Sequence, residues 1–333
     1  MSSLSRGSLS SAVVLLISCG GDSFEYPLDG VLRMNHLQVK GTHNSFHVAA
    51  PEVTIDEWSV TQSSLDRQLD AEGVRQLELD LHLPDGAETL GVYHVGILDP
   101  ATTCQQFTDC LAVIKRWSDK VPAHLPLVVQ LQIRIDFDPA TAESVLQKIE
   151  SEISSVWPQP RLITPDEVKG DAATLKDAVL DVGWPKLGAL RGRVIFAFDD
   201  QGPFRSVYTR EDTSLDGRRI FVDAAVDAPY AAYVILNDAT RDFEAIQSAV
   251  RSGFLVRTRS DSSPQEARAH GAEILEKALE SGAQLISTDF PVPKPGVDFS
   301  VSIPGGTPAR CNPLTAPKEC TPEAIEDPEL MAE

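Results

Sequence analysis

Five stretches of the sequence carry side chains able to hold a cation, move a proton or grip an anion. "GTHNSFH" sets His43 beside Asn44, "RQLELDLHL" puts Glu78 two residues from Asp80, and "LGVYHV" brings His94. "PLVVQLQIRI" supplies Gln132 and Arg134, and "GFLVRTRSD" supplies Arg257 and Arg259. Two carboxylates at i and i+2, with an amide oxygen beside them, form an all-oxygen site that suits Ca²⁺ or Mg²⁺. Two flanking histidines move protons near neutral pH. The arginines offer planar donors to phosphate oxygens; in a plainer reading they pair internally, with Asp261 or with strand carboxylates. A divalent cation, a histidine pair and arginines are together the parts of phosphoryl-transfer chemistry.

Such groups converge only if the elements carrying them point one way. Eight runs rich in Val, Ile and Leu recur along the chain: "HLQVKG", "RQLELDLHL", "LGVYHV", "PLVVQLQIRI", "RVIFAFDD", "AAYVILND", "GFLVRTRSD" and "AQLISTDF". Helical patterns such as "CQQFTDCLAVIKRWSD" and "SPQEARAHGAEILEKALESG" lie between them. Strands alternating with helices predict a (β/α)8 TIM barrel over residues 31–300. In "RQLELDLHL", Gln76, Glu78, Asp80 and His82 share one face and the leucines share the other, and "VVQLQIRID" divides the same way. Two strands with a wholly polar face predict a polar barrel interior. The mouth at the C-terminal ends of the strands is then the expected site. His47 and His82 read as structural.

The chain has 333 residues and a formal net charge of −20, which repels nucleic acid and bare anionic membranes. Its first residues combine Arg6, the apolar run "AVVLLI" and "LISCGG". This order is that of a lipoprotein signal over 1–18, with Cys19 as the lipidated residue and 19–30 as a tether. The protein is therefore expected to be exported, either anchored by lipid at a cell or outer membrane or extracellular. Cys104, Cys110, Cys311 and Cys320 remain, enough for two disulfides. The pairs closest in sequence are Cys104 with Cys110 and Cys311 with Cys320, one of three possible connectivities. Residues 301–333 are rich in proline and read as an extended, disulfide-pinned tail.

"GTHNSF", "LELDLH", "YHVG", "GFLVRTRSD", "SGAQLISTDFP" and "ARCNP", in this order, resemble the calcium-dependent phosphoinositide-specific phospholipase C family in its single-domain form. The resemblance implies a TIM barrel, bound Ca²⁺, a membrane phospholipid as substrate, and cleavage of phosphatidylinositol to diacylglycerol and a cyclic inositol phosphate. It implies that His43 steadies the phosphorane and that Asn44, Glu78 and Asp80 bind calcium. His94 is the implied general acid. Glu78, or another base near the metal, would take the proton of the attacking inositol hydroxyl, and Arg134, Arg257 and Arg259 would contact phosphate or inositol. One position departs from the family: its fourth-strand glutamate is Gln132 here, whose oxygen coordinates calcium without contributing charge. A monomer is expected. The rival readings are a glycerophosphodiester phosphodiesterase, whose family opens with "HRG" where this chain has "HNSFH", and a binding protein on a catalytically weakened barrel.

Overall fold

A computed structural model describes residues 25–52 and 55–330. Cys19 and the signal expected over residues 1–18 lie outside the described residues. Ten strands are present among the described residues: β1 (Leu37–Thr42), β2 (Val74–His82), β3 (Gly91–Val92), β4 (Leu127–Ile133), β5 (Val194–Phe198), β6 (Phe221–Val222), β7 (Tyr233–Asp238), β8 (Leu255–Arg259), β9 (Leu285–Thr288) and β10 (Ala309–Cys311). Eight of them run parallel in the order β6-β5-β4-β2-β1-β9-β8-β7. The ring closes between β6 and β7 at one bridge, Asp223 with Tyr233, where the Ala224 N–H donates to the Tyr233 carbonyl at 3.1 Å.

The count of eight barrel strands holds, but their membership differs from the sequence expectation. "LGVYHV" is not a barrel strand. Only Gly91 and Val92 pair, antiparallel, with the end of β2, so His94 stands in a loop beyond it. The missing barrel strand is Phe221–Val222, lodged between "GRRI" and "DAAV". Two residues are too few to display a period.

The outer helices form where apolar residues recur on one face. In Phe107–Lys120 the side chains of Phe107, Cys110, Leu111, Ile114 and Trp117 are buried at the three- and four-residue spacing of a helix stripe. The helix Pro264–Ser281 starts with proline after Ser263, whose Oγ accepts from the Glu266 N–H at 3.1 Å, and stops at Gly282 in the left-handed region.

The barrel interior is polar and bonded across its width. Tyr233 Oη donates to Gln130 Oε1 at 2.6 Å, and Gln130 Nε2 donates to Glu78 Oε2 at 3.1 Å and to Asp199 Oδ2 at 2.9 Å. Interior space is tight: a Cβ on Gly41 would stand 2.0 Å from Gln76 Oε1.

The C-terminal segment closes the opposite end. β10 pairs antiparallel with the start of β1. Disulfides join Cys104 to Cys110 and Cys311 to Cys320. Beyond them Glu326, fully buried, meets Arg75, 1% exposed, at 3.3 Å. Arg75 also donates to the carbonyls of Leu69 and Val74 and lies over the Trp117 ring. Removing one member of a buried pair leaves the other charge uncompensated. Glu326→Ala is therefore expected to cost about 3 kcal/mol in urea unfolding. A loss below about 1 kcal/mol would mean that the backbone carbonyls alone satisfy Arg75.

Candidate active site

The turn after β1 is fixed to β2 by short bonds. Ser45 N–H donates to the Glu78 carbonyl at 3.0 Å, the Glu78 N–H donates to Ser45 Oγ at 2.8 Å, and Ser45 Oγ also pairs with Thr42 Oγ1 at 2.7 Å. Asn44 takes a left-handed backbone, φ 43°, a region that asparagine tolerates better than most residues. This turn brings His43 and Asn44 to the mouth together, which adjacent positions on a straight strand would not allow.

His43 Nδ1 lies 2.8 Å from Asp289 Oδ1, at the end of β9, and His43 Nε2 lies 3.8 Å from Glu78 Oε1. Asp289 also accepts from Arg259 at 3.0 Å. Burial raises the Asp289 carboxyl, but His43 and Arg259 outweigh it and hold the group below the usual range.

Glu78 and Asp80 point the same way from β2, as their spacing requires, and both are buried. Asp80 is in register with Gln132 of β4, which is half-buried beside it. Burial, with Glu78 adding to it and Arg134 opposing it, lifts the Asp80 carboxyl to about 7. Burial and the neighbouring Glu78 lift Asp199, at the end of β5, to about 6.

The arginines divide. Arg257, expected to reach substrate, is 1% exposed and donates to Glu78 Oε2 at 2.8 Å and Ser287 Oγ at 2.9 Å, so its charge is spent inside the barrel. Arg259 is spent on Asp289. Arg134 bonds Asp80 Oδ2 at 3.0 Å yet keeps 40% of its side chain exposed.

His94 arrives from a loop rather than a barrel strand. Its Nδ1 lies 2.8 Å from Asp99 Oδ2, across a small hairpin closed by mutual backbone bonds between Val95 and Asp99. Desolvation lowers the His94 pKa, and Asp99 partly restores it.

A family profile described as phosphoinositide phospholipase C, Ca²⁺-dependent, matches residues 84–313. The chain belongs to this family. The match begins just past β2, so the turn of His43 and Asn44 and the Glu78–Asp80 pair precede it. Among solved structures, the apo calcium-dependent phosphoinositol-specific phospholipase C of a Pseudomonas species superposes with a TM-score of 0.60 at 17% identity, over 81% of this chain and 95% of that one. The phosphatidylinositol-specific enzyme of Streptomyces antibioticus gives 0.57 at 16% identity, over 78% and 95%. At these identities the likeness is one of fold. No curated protein sequence matches the chain.

The donors present fit the cation that the family requires. Asn44 Oδ1 and Asp80 Oδ1 are buried oxygens without a hydrogen-bond partner, at the mouth that Glu78 also faces. Buried acceptors left bare are costly unless a cation meets them. All are oxygens, the donor type of a hard divalent ion.

Three carboxylates escaped the sequence reading: Asp99, Asp199 and Asp289. Two of them had a legible signal, since Asp199 and Asp289 end the strand runs "FAFD" and "LISTD". Asp99 sits in a loop with none.

A carboxyl whose folded-state pKa lies above its unfolded value binds protons preferentially in the folded state. Stability then falls as pH rises from the ordinary carboxylate range to about 7, and is flat above it. For the calcium-free protein, Asp80→Asn is expected to remove part of that slope and raise the melting temperature at pH 8 by about 2–4 °C. It is also expected to abolish most of the stabilisation by added calcium. A calcium-induced shift equal to that of wild type in calorimetry would place Asp80 outside the cation site.

Proposed function

We propose that the protein cleaves the phosphodiester of phosphatidylinositol or a close inositol lipid, releasing diacylglycerol and a cyclic inositol phosphate. Two histidine–carboxylate dyads at one barrel mouth support this reading. Each Nδ1 is tied to a carboxylate, His43 to Asp289 and His94 to Asp99, which leaves each Nε2 for the substrate.

His43 Nε2 takes the proton of the inositol 2-hydroxyl as that oxygen attacks phosphorus, and Asp289 steadies the imidazolium that forms. Glu78, expected as the base, is 2% exposed, and its Oε2 is already held by Arg257 and Gln130. It serves better as a fixed anion at the mouth. His94 Nε2 delivers a proton to the departing diacylglycerol oxygen. Arg134, the most exposed of the three arginines, meets phosphate or inositol. Asn44, Glu78, Asp80 and Gln132 are the residues that would hold calcium, which when bound offsets charge on the phosphoryl oxygens and acidifies the attacking hydroxyl.

The assay is turnover of phosphatidylinositol vesicles with calcium or with chelator, read as diacylglycerol and cyclic phosphate. His94→Ala is expected to lose about 10²–10⁴-fold on this lipid. The loss should be far smaller with a thiolate leaving group, which needs no proton. Equal losses on both substrates would remove His94 from the acid role. Release of glycerophosphodiester alcohols without action on the lipid would favour the rival phosphodiesterase.

The surface beside the mouth suits a bilayer. Ile97 is 99% exposed and Leu98 69% at the tip of the hairpin whose base holds Asp99, and the Trp58 ring lies edge-on to His94 at 5.7 Å. With a net charge of −20, attachment relies on such apolar tips and on a lipid at Cys19 rather than on charge. Replacing Ile97 and Leu98 together by serine is expected to cut vesicle binding and vesicle turnover about tenfold. Turnover of a water-soluble inositol phosphodiester is expected to stay within about twofold, since neither side chain bonds a catalytic group. An unchanged vesicle affinity would exclude this tip as the docking surface.

A further inference from the structure

A second group of ligand atoms lies beside the general acid. His47 Nε2 and His94 Nδ1 each stand 2.8 Å from Asp99 Oδ2, and the three atoms lie within 4.8 Å of one another. His47 and Asp99 are buried, while 16% of the His94 side chain meets solvent and leaves a way in. The other nitrogen of His47, Nδ1, lies 2.6 Å from the Val60 carbonyl. A carbonyl only accepts, so Nδ1 donates, and in the neutral ring the Nε2 lone pair then faces Asp99. A backbone carbonyl behind the ring is a common way to orient a metal-binding histidine.

We propose that His47, His94 and Asp99 form a site for Zn²⁺ or a similar first-row ion, distinct from the calcium donors, and that filling it disables the general acid. The second half rests on the acid role proposed for His94. Two imidazole nitrogens and one carboxylate oxygen suit zinc, whereas calcium takes oxygens such as those of Asn44, Glu78 and Asp80. With zinc–ligand bonds of about 2.0–2.1 Å, tetrahedral ligand atoms stand about 3.3 Å apart. The three atoms reach that spacing by shifts of about an ångström or less, with Asp99 moving back from both rings. Two of the ligands sit at the hairpin closed by Val95 and Asp99, outside the barrel ladder, so the shift displaces no barrel strand. The net charge of −20 draws cations toward the protein.

The consequence for His94 follows from which nitrogen the metal takes. A histidine acting as general acid is an imidazolium with a proton on each nitrogen, and giving up the Nε2 proton leaves a neutral ring. Zinc on Nδ1 takes the place of one proton. The ring is then a neutral ligand whose Nε2–H still donates a hydrogen bond, but loss of that proton would leave an imidazolate, so the group is a far weaker acid. Zinc also engages Asp99, which otherwise orients the ring. Calcium keeps its own donors, so turnover stops with the calcium site intact. A proton on Asp99 would bridge the same contacts without metal; measured metal binding separates the two.

The test titrates metal-free protein with ZnCl₂ in saturating Ca²⁺, by calorimetry and equilibrium dialysis. One Zn²⁺ per chain is expected to bind at about micromolar free zinc. His47→Gln and His94→Gln are each expected to weaken that binding at least about tenfold. The two substitutions lie on separate segments, so one serves if the other does not fold. No binding, binding that calcium displaces, or binding that the folded variants retain at wild-type strength overturns the proposal. Turnover supplies the second arm. Saturating zinc is expected to slow wild-type cleavage of phosphatidylinositol vesicles about 10²–10⁴-fold and to leave a thiolate-leaving substrate within about twofold. Zinc bound at this site without effect on vesicle turnover overturns the inhibition. Equal slowing of both substrates, with binding lost in the variants, supports the site and defeats the acid role of His94.

Discussion

Glu78 and Arg257, 2.8 Å apart and both nearly sealed from solvent, set the terms for the whole barrel. Neither charge would survive there alone, since desolvating an unpaired ion costs far more than a small domain has to spare. Each partner is therefore bonded again, Arg257 to Ser287 and Glu78 to Gln130, and Gln130 passes the network on to Asp199 and Tyr233. The chain of bonds touches β2, β4, β7 and β8 and reaches the ends of β5 and β9. It spans the ring on the inside, near the seam between β6 and β7 where the backbone ladder is thinnest.

That network also keeps the mouth anionic without leaving its charges loose. Glu78 is paired with Arg257 at 2.8 Å. Asp80 is buried beside it with one oxygen on Arg134 and the other bare. A divalent cation arriving at Asn44, Glu78 and Asp80 would meet donors already oriented by packing, and the protein would pay little further ordering entropy.

The two dyads are built alike but held differently. His43 and Asp289 stand on the ends of β1 and β9, neighbours in the sheet, so their separation is fixed by the barrel ladder. His94 and Asp99 belong to one short loop outside the barrel ladder, met from β2 by the His82 ring at the Tyr93 carbonyl, 2.8 Å away. The bond between His47 and Asp99 ties that loop to the turn after β1, giving His94 some of the rigidity that His43 draws from the barrel.

The fold was legible because its signal is local and repeated: apolar runs alternating with amphipathic helices, and a period of two within "RQLELDLHL" and "VVQLQIRID" that marks a polar interior. The groups on those strands, Glu78, Asp80, Gln132 and Arg134, are legible for the same reason. The sequence by itself determined the architecture, the polar interior and, among the groups at the mouth, His43, Asn44, Glu78, Asp80 and His94. It did not determine their partners. That His94 leaves the barrel, that Arg257 turns inward to Glu78, and that Asp99 and Asp289 each take a histidine, depend on contacts between residues distant in the chain or on the path of a loop. Only closure of the barrel brings β8 opposite β2 and β9 beside β1. A hydrogen bond is specified by where two chains meet, and no periodicity along one of them records that place.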